Sequence, residues 1–494
     1  MGTFITFPEL LLWLPLLAGI ICFFIKNEKG AKAIAFGSSL LVLAAALISL
    51  LYTSETYFTY NAVKYHWLES LGSSFYFSLE GSGRILTLLT AVAFPIIFLS
   101  TYKNSYKNAG AFFGLMMLAE CGLMGVFVAR DALIFYFFWE LALIPVYFLC
   151  SIWGGEKRIQ ATFKFFVYTF LGSLLMLTGI IYVYLHTEPR MVGNVVASLH
   201  SFSLQSFYTA TLSEGEQSWL FWLFFIAFAI KMPVFPFHTW QPDAYDQSPT
   251  PVTMVLSGIM VKMGLFGVIK WLIPIFPLAV AKYTNVVMIL CVIGIIYASC
   301  IAMLQNNLKK LVAYSSIAHI GLMCAAIFAM NEMSLQGIMI QMFSHGINII
   351  GLWIVVEMIE QQTGVKNMSE LGGVAHKAPV LTIMLVIIAF ANIALPLTNA
   401  FVGEFMMFAG IYQHSIWMAA VAGLSIILAA VYTLNMIQKV FYGNTNTVTD
   451  TIIDISFAQK LALGLIVVLI FTFGVYPQPM IDLAKEAVTG LVSK

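Results

Sequence analysis

The sequence has few charged residues for its length. Of 494 residues, 24 are lysine or arginine and 23 are aspartate or glutamate, so charged residues make up 10% of the chain. Soluble domains have about 25% charged residues, whereas this chain has 61% hydrophobic residues. The formal net charge is only +1, and no extended basic stretch is present. This composition argues against nucleic acid as a partner and predicts that the lipid bilayer surrounds the chain.

Motifs of redox and hydrolytic chemistry are also missing from the sequence. The six cysteines form no C-x-x-C pair, so neither a disulfide framework nor an iron–sulfur cluster is indicated. We find no glycine-rich phosphate loop beside a strand, no H-E-x-x-H and no G-x-S-x-G. Residues 1–7 contain no basic residue, so we expect no cleavable signal. The chain is therefore expected to hold no cofactor, no metal and no catalytic redox site of its own.

Long apolar runs make up most of the chain. A window of about 20 predominantly apolar residues can cross a bilayer as a helix. Fourteen such windows lie roughly at 7–25, 33–52, 85–102, 110–129, 131–152, 162–185, 217–239, 250–273, 283–304, 308–330, 333–359, 378–411, 416–442 and 457–477. These runs lack the alternation of barrel strands, so we expect an all-α polytopic membrane protein with about 14 transmembrane helices.

The positions of the basic residues predict an orientation. Of the 24 lysines and arginines, fourteen fall in loops on one side of the predicted bundle and eight on the other, and Lys231 and Lys262 lie inside windows. Cytoplasmic loops carry the excess of basic residues. We therefore expect both termini on the non-cytoplasmic side, and we favour the bacterial plasma (inner) membrane as the location.

Lys231 is the most informative residue of the sequence. It follows ten apolar residues and precedes the segment MPVFP, which contains Pro233 and Pro236. A charge at bilayer depth costs about 2.5 to 3.5 kcal/mol on insertion scales, and each proline removes a backbone donor. A buried charge beside an interrupted helix points to an ion path.

Further ionisable residues lie within the apolar windows. The main ones are Glu140, Lys262, His319, His345 and Glu404. Each of these residues also has a purely structural interpretation. A histidine often bonds only a neighbouring serine or carbonyl, and Glu140 with Lys231 could be a structural ion pair. A structural pair would not require titratable groups on several further helices, so the series favours proton transfer. Glu120 is either a buried carboxyl satisfied by a tyrosine or an accessory group of the same path.

Two windows, at 217–239 and 378–411, are expected to be interrupted at prolines. One broken helix in each half is typical of transporters built from inverted repeats. We predict that helices 4–8 and 9–13 are inverted five-helix repeats, with helices 7 and 12 discontinuous. The corresponding segments are 1–109, 110–273, 274–445 and 446–494, the first being an N-terminal three-helix segment and the last a C-terminal helix with its tail.

Several long motifs carry a resemblance to a known family. They are FWELALIPVYFL at 138–149, KMPVFPFHTW at 231–240, LVAYSSIAHIG at 311–321 and FVGEF at 401–405. Over roughly residues 85–445 the chain resembles the antiporter-like subunits of respiratory complex I, the proton-pumping NADH:quinone oxidoreductase. Most of these subunits have lysine where this chain has Glu404, and glutamate at that position is typical of the M type. The seventeen residues after the last window leave no room for the long lateral helix of the L type.

The resemblance implies a mechanism and partners. Protons would pass along Glu140, Lys231, Lys262, His319, His345 and Glu404, coupled to quinone reduction elsewhere in the complex. FMN, iron–sulfur clusters and quinone would lie in other subunits, and L and N subunits would flank this chain. Family members commonly have leucine at Gln241 and histidine at Tyr245, so we exclude Tyr245 from the predicted site. Three alternatives stay open: a cation/proton antiporter (Mrp-type) subunit, a membrane-bound hydrogenase subunit, and a structural spacer that conducts nothing.

Overall fold

The computed structural model of the protein describes residues 5–52, 60–192, 195–198 and 200–492 and is almost entirely helical. In chain order the helices of four or more residues are α1 Phe7–Phe24, α2 Glu28–Ser49, α3 Gly81–Ser100, α4 Ala109–Val128, α5 Ala132–Trp153, α6 Arg158–Leu185, α7 Leu204–Tyr208, α8 Glu214–Lys231, α9 Gln241–Gln247, α10 Thr250–Ile275, α11 Pro277–Leu304, α12 Leu308–Phe328, α13 Glu332–Thr363, α14 Val374–Lys377, α15 Pro379–Asn392, α16 Asn399–His414, α17 Ile416–Val440, α18 Phe457–Val475 and α19 Gln478–Val492.

Twelve helices of the described chain are long and apolar enough to cross a membrane, namely α1 to α6, α10 to α13, α17 and α18. The all-α membrane fold is therefore confirmed. The other two predicted windows coincide with α8 and with the pair α15 and α16. The number fourteen and the repeat boundaries stay predictions.

The two windows that were expected to be broken are interrupted in the structure. Helix α8 ends at Lys231, just before Pro233, which has no N–H to continue the helical ladder. Helices α15 and α16 are separated by residues 393–398, in which Ala394 and Leu397 have left-handed backbone angles (φ of 54° and 72°). Gly474 of α18 makes room for this break, because a Cβ there would lie 2.1 Å from the Leu397 carbonyl oxygen.

Four short strands were not predicted. Strand β1 (Ala62–His66) pairs antiparallel with β2 (Ser74–Ser78) between α2 and α3, and β3 (Arg190–Val192) pairs with β4 (Val195–Ser198) after α6. Asp131, before α5, accepts hydrogen bonds from the backbone N–H of Ser74 and of Leu133. One carboxylate therefore caps α5 and fixes the end of the first hairpin.

Helix α13 occupies the centre of the bundle. Its most apolar stretch is completely buried, as is that of α10. Helices α3, α10, α12, α16, α18 and α19 all pack against α13. A helix that is enclosed on every side presents its polar residues only to other helices, so buried polar groups of α13 must find partners there or in water.

Candidate functional site

Lys262 and His345 form the first buried polar contact of the site. The ammonium nitrogen of Lys262 donates a hydrogen bond to the Ser257 carbonyl oxygen at 2.9 Å and lies 2.8 Å from Nδ1 of His345. Lys262 is completely buried and His345 nearly so. A charged lysine can only donate, so Nδ1 of His345 accepts and a neutral ring carries its proton on Nε2.

The helix that carries Lys262 is irregular. Two π-helical turns, Leu256–Met260 and Val268–Leu272, flank the α-helical segment Val261–Gly267. A π turn shifts the helix face by a fraction of a turn and often marks a functional position. Here the irregular turns lie directly before and after the segment that presents Lys262 to α13.

His319 and Glu404 continue the row of polar groups beyond His345. Nδ1 of His319 lies 3.2 Å from Oε1 of Glu404, and the ring centroids of His319 and His345 are 5.5 Å apart. The residues Lys262, His345, His319 and Glu404 thus form one continuous buried line, which we call the polar row. They come from four helices, α10, α13, α12 and α16.

Helix α13 supplies further polar contacts along the same face. Gln341 donates from Nε2 to Oε1 of Glu404 at 3.1 Å. Asn348 and Asn399 exchange two amide hydrogen bonds of 3.0 and 3.1 Å, and the Ser344 hydroxyl donates to the Asn399 carbonyl oxygen. Asn399 begins α16, so these bonds fix the start of the helix that carries Glu404.

A small cavity lies beside the polar row. It is lined in part by His319, Glu404, Ser299 and Tyr432, and its volume is about 10 Å³. That is close to the space one water molecule needs. The cavity therefore suits a single water in contact with the histidine and the carboxylate.

Lys231 lies at the end of α8 and outside this line of contacts. Its ammonium nitrogen is 5.4 Å from the centroid of the Trp139 ring. No hydrogen-bond partner for it is found among the described residues, nor for Oε1 of Glu140. No ion pair within 4.0 Å joins Lys231 to Glu140 in the described part of the chain. The expected pair is therefore open in this structure.

The end of α8 nevertheless touches the helix that carries Lys262. A Cβ on Gly264 would lie 2.6 Å from the Phe228 carbonyl oxygen and 2.7 Å from Cβ of Met232. The absence of a side chain at Gly264 lets the two helices meet at backbone distance. The indole of Trp240 also donates to the Ile230 carbonyl oxygen at 2.9 Å, which satisfies one carbonyl that the helix end leaves free.

Glu120 is buried apart from the polar row. Both of its carboxylate oxygens are without a hydrogen-bond partner among the residues that the structure describes. The tyrosine partner considered for it is therefore not seen there.

Sequence reasoning missed four polar residues in this region. Gln341, Ser344 and Asn399 carry no charge, so their place in an apolar window did not mark them as functional candidates. His238, in the break after α8, is 3% exposed and stacks against Phe235 with centroids 5.8 Å apart. Its signal was its place inside the motif at 231–240. Tyr245, excluded beforehand, is fully buried.

The short helix α9 is held from both halves of the chain. Asn307 donates to a carboxylate oxygen of Asp246 at 3.0 Å, and the ammonium of Lys366 lies 3.6 Å from the same oxygen. From the first half, the Gly155 N–H donates to the Gln247 carbonyl oxygen at 2.7 Å. Burial raises the pKa of Asp246, but the Lys366 charge and the Asn307 hydrogen bond outweigh it and hold that pKa below its ordinary value.

Known proteins have similar sequences. The model of the NADH:quinone oxidoreductase/Mrp antiporter transmembrane family matches residues 129–429. NADH-quinone oxidoreductase subunit M of Rickettsia prowazekii (strain Madrid E) is 35% identical over 492 residues, which is 98% of each chain. The subunit M of Escherichia coli (strain K12) is 33% identical over 430 residues, covering 85% of this chain and 83% of that protein.

Solved structures agree with the sequence matches. A chain of respiratory complex I from Thermus thermophilus with bound NADH superposes with a TM-score of 0.87 at 27% identity, covering 99% of this chain and all of that one. A chain of the Mrp complex from Dietzia sp. DQ12-45-1b has a TM-score of 0.83 at 17% identity, covering 98% and 97%. The second match shows a common fold.

Proposed function

The chain belongs to the NADH:quinone oxidoreductase/Mrp antiporter transmembrane family, and we propose from this premise that it carries protons along the polar row. It is a proton-translocating membrane subunit of an NADH-quinone oxidoreductase. The observation that supports the route is the close arrangement of four buried titratable side chains, Lys262, His345, His319 and Glu404. A membrane interior tolerates so many ionisable groups in contact only where they serve transport.

The two histidines are arranged for a relay. In each ring Nδ1 faces a titratable partner, and Nε2 is buried with no hydrogen-bond partner among the described residues. An imidazole can take a proton on one nitrogen and release another from the second. In the proposed step Lys262 gives a proton to Nδ1 of His345, and His345 releases its Nε2 proton toward Nε2 of His319. His319 then gives its Nδ1 proton to Glu404.

Water must complete the path at two places. The two imidazole rings are 5.5 Å apart between centroids, and no hydrogen bond joins Lys231 to Lys262 in the described structure. A water molecule that bridges two groups connects them nearly as well as a direct hydrogen bond does. The cavity beside His319 and Glu404 could hold a further water at the end of the row.

Lys231 and Glu140 are the proposed loading pair. A carboxylate that approaches an ammonium group holds its proton there, and a carboxylate that withdraws lets the proton go. We assign the open pair in this structure to the releasing arrangement. Driving a proton against about 150 to 200 mV costs about 3.5 to 4.6 kcal/mol. Separating a buried carboxylate from its ammonium partner changes the free energy by a similar amount.

The assembly around the chain is part of the proposal. Other membrane subunits of the complex are its partners, with L and N subunits on its two flanks. FMN, iron–sulfur clusters and quinone reside in other subunits, and this chain has no redox site of its own. We place it in the bacterial plasma membrane with both termini outside the cytoplasm, and we assign helices 4–8 and 9–13 to inverted repeats. Glu120 is proposed as an accessory proton-transfer group.

Replacing Lys231 by alanine tests the proposed function. We expect NADH-driven proton pumping to be abolished, because the only lysine at the end of α8 can no longer be loaded. Protons pumped per NADH oxidised are measured in membrane vesicles, with assembly checked on a native gel. The matched control is Lys439→Ala, which removes an exposed lysine in the last turn of α17.

The outcomes separate the rival functions. An assembled Lys231→Ala complex that pumps with normal stoichiometry would reduce this chain to a scaffold. Sodium-dependent exchange that needs no NADH would instead identify a cation/proton antiporter.

A further inference from the structure

A second set of buried polar groups lies beside the end of the polar row. The hydroxyl oxygens of Tyr432 and Ser315 are 2.9 Å apart, and Nδ2 of Asn392 donates to the Ser315 hydroxyl at 3.4 Å. The three residues come from α17, from α12 and from the last position of α15, and all three are buried. We call these three residues the hydroxyl chain.

The small cavity beside the polar row brings the two sets of groups together. Its lining includes Glu404 of the row, Tyr432 of the hydroxyl chain and Ser299 of α11. Ser299 is buried, and its hydroxyl has no hydrogen-bond partner among the described residues. A buried water makes about two to four hydrogen bonds to polar groups, and the carboxylate, the phenol and the serine hydroxyl supply such partners. The cavity therefore suits a water that bridges Tyr432 and Glu404.

The number of donors fixes the direction of the hydroxyl chain. A serine hydroxyl and a phenol each carry one proton and can also accept. Because Asn392 donates to Ser315, the Ser315 proton has the Tyr432 oxygen as its acceptor. The Tyr432 proton then points into the cavity, where a carboxylate can accept it through water. The opposite direction would leave the Ser315 proton buried without an acceptor among the described residues, which costs free energy.

We propose that Tyr432 is a positioning residue for proton transfer and donates, through one water, to the carboxylate of Glu404. This inference rests on the proposed function, since it concerns the last member of the polar row. The bridged hydrogen bond stabilises the ionised form of Glu404, which Gln341 and His319 also contact. Asn392 ends α15 directly before the helix break, so the hydroxyl chain connects that break with the carboxylate.

Tyr432→Phe in the intact complex tests the proposal. The substitution removes the hydroxyl and keeps the ring, so the cavity water loses its link to Ser315. We expect the pH at which half of Glu404 is protonated to rise by about one unit, because a hydrogen bond to a charged group changes proton affinity about tenfold. The measurement is an infrared pH titration of the carboxyl band that Glu404→Gln removes.

The band is followed because other titratable groups lie near Glu404. Among the helices packed against α16, α12 presents His319 and α17 presents Tyr432. Helix α13 carries His345 next to His319. Helix α15 has no titratable residue, and α18 has only Lys460, in its first turn. Total proton uptake would mix the histidines with the carboxyl group, whereas the carboxyl band reports Glu404 itself.

A second signature and a matched control sharpen the test. In protein with ring-labelled tyrosine, protonation of Glu404 should shift one tyrosine C–O band, and Tyr432→Phe should remove this shift. Ser315→Ala should move the titration of Glu404 in the same direction by a smaller amount, because Tyr432 keeps its own proton. The control is Tyr182→Phe, which removes a tyrosine hydroxyl that donates to Glu216 at 2.7 Å. It should change neither the titration nor the tyrosine shift.

An unchanged titration of Glu404 in an assembled Tyr432→Phe complex would overturn the proposal, and so would an equal shift with Tyr182→Phe. If Tyr432→Phe does not assemble on a native gel, Ser315→Ala decides, and the absence of any shift in that variant counts against the proposal. Neither titration depends on whether Lys231→Ala pumps protons, so this proposal and the proposed function fail separately.

Discussion

Two hydrogen-bond donors meet at one carboxylate oxygen of Glu404. Nε2 of Gln341 lies 3.1 Å and Nδ1 of His319 lies 3.2 Å from Oε1. The amide N–H₂ of Gln341 donates in every state, whereas His319 donates only when Nδ1 carries a proton. In the proposed relay, Gln341 therefore holds Glu404 in place while His319 gives and regains its proton.

Gln341→Leu removes the permanent donor and keeps the size of the side chain. A hydrogen bond to a charged group contributes about 1.5 to 3 kcal/mol, so we expect proton pumping to slow by about tenfold or more. The measurement is the initial rate of NADH-driven proton uptake into inverted vesicles. An infrared difference spectrum should show an altered Glu404 carboxyl band.

The control for this substitution lies on the same helix. Gln336 donates to Glu332 at 2.8 Å near the start of α13, away from the polar row. Gln336→Leu should leave both the pumping rate and the carboxyl band unchanged. If both variants slow pumping equally, Gln341 serves only the packing of α13.

The members of the polar row could be predicted from the sequence because charge in an apolar window is costly. Lys262, His319, His345 and Glu404 stood out for that reason alone, and the structure brings them together. Gln341 could not be found in this way, since an uncharged amide gives a much weaker signal. The separation of Lys231 from Glu140 could not be predicted from the sequence either, because it depends on side-chain positions.

At the scale of the elements, α10 approaches the end of α8 closely at Gly264, which has no side chain. Gly264→Ala would place a Cβ 2.6 Å from the Phe228 carbonyl oxygen, closer than such atoms approach, so α10 must move away from Lys231. We expect a loss of about 1 to 3 kcal/mol of stability, as for other overpacked sites, together with slower pumping. Thermal unfolding and pumping are measured on the same preparation.

Gly215→Ala is the matched control for that substitution. Gly215 lies in the first turn of α8 with no neighbouring atom within 4 Å of an added Cβ. Alanine there should stabilise the helix by about 0.5 to 1 kcal/mol. A Gly264→Ala protein as stable and active as the Gly215→Ala protein would show that the close contact is dispensable.

Asp246→Asn tests whether the contacts of Asp246 with Asn307 and Lys366 hold α9 in place. The pKa of Asp246 is lowered in the folded state, so its contribution is present above the unfolded carboxyl value of about 3.9 and is lost as the pH falls. At neutral pH we expect about tenfold faster hydrogen exchange in α9, corresponding to a charged hydrogen bond of about 1.5 kcal/mol. Once the pH falls well below the folded-state pKa of Asp246, the variant and the parent protein should exchange alike.

Asp243→Asn provides the comparison on the same short helix. Asp243 pairs with Lys164 at 2.8 Å, but both side chains are more than one-third exposed. Exposed pairs contribute about 0 to 1 kcal/mol, so exchange in α9 should change little. Equal acceleration by the two substitutions would contradict a specific role for Asp246.

The elements themselves were predictable to different degrees. Bilayer thickness sets the length of a spanning helix, so the apolar windows followed from the sequence. Both breaks lie beside prolines, as expected, although Pro95 and Pro145 lie inside unbroken helices. The π turns of α10 leave no comparable pattern, because their residues are as apolar as their neighbours. The hairpin of β1 and β2 and the helix α19 lie outside the long apolar windows. The length of a membrane-spanning helix therefore does not predict them.

At the scale of the whole molecule, the polar row crosses from one half of the chain to the other. Lys262 belongs to the segment 110–273, and His345, His319 and Glu404 belong to 274–445. All four meet around α13, which is enclosed by both halves. In the proposed mechanism this row is a series path, in which each proton must pass every member, rather than two separate paths in two repeats.

A double substitution distinguishes these two designs. In a series path Lys262→Met, Glu404→Gln and the combination of both should leave the same residual pumping, because one interruption already stops the flow. Two parallel paths would instead lose pumping in two steps, since each substitution would close only one of them. Protons pumped per NADH are compared for the three variants in assembled complex, with Lys439→Gln as the control for membrane preparation. The non-additive result is the one we expect, because residues that act as a unit show such behaviour.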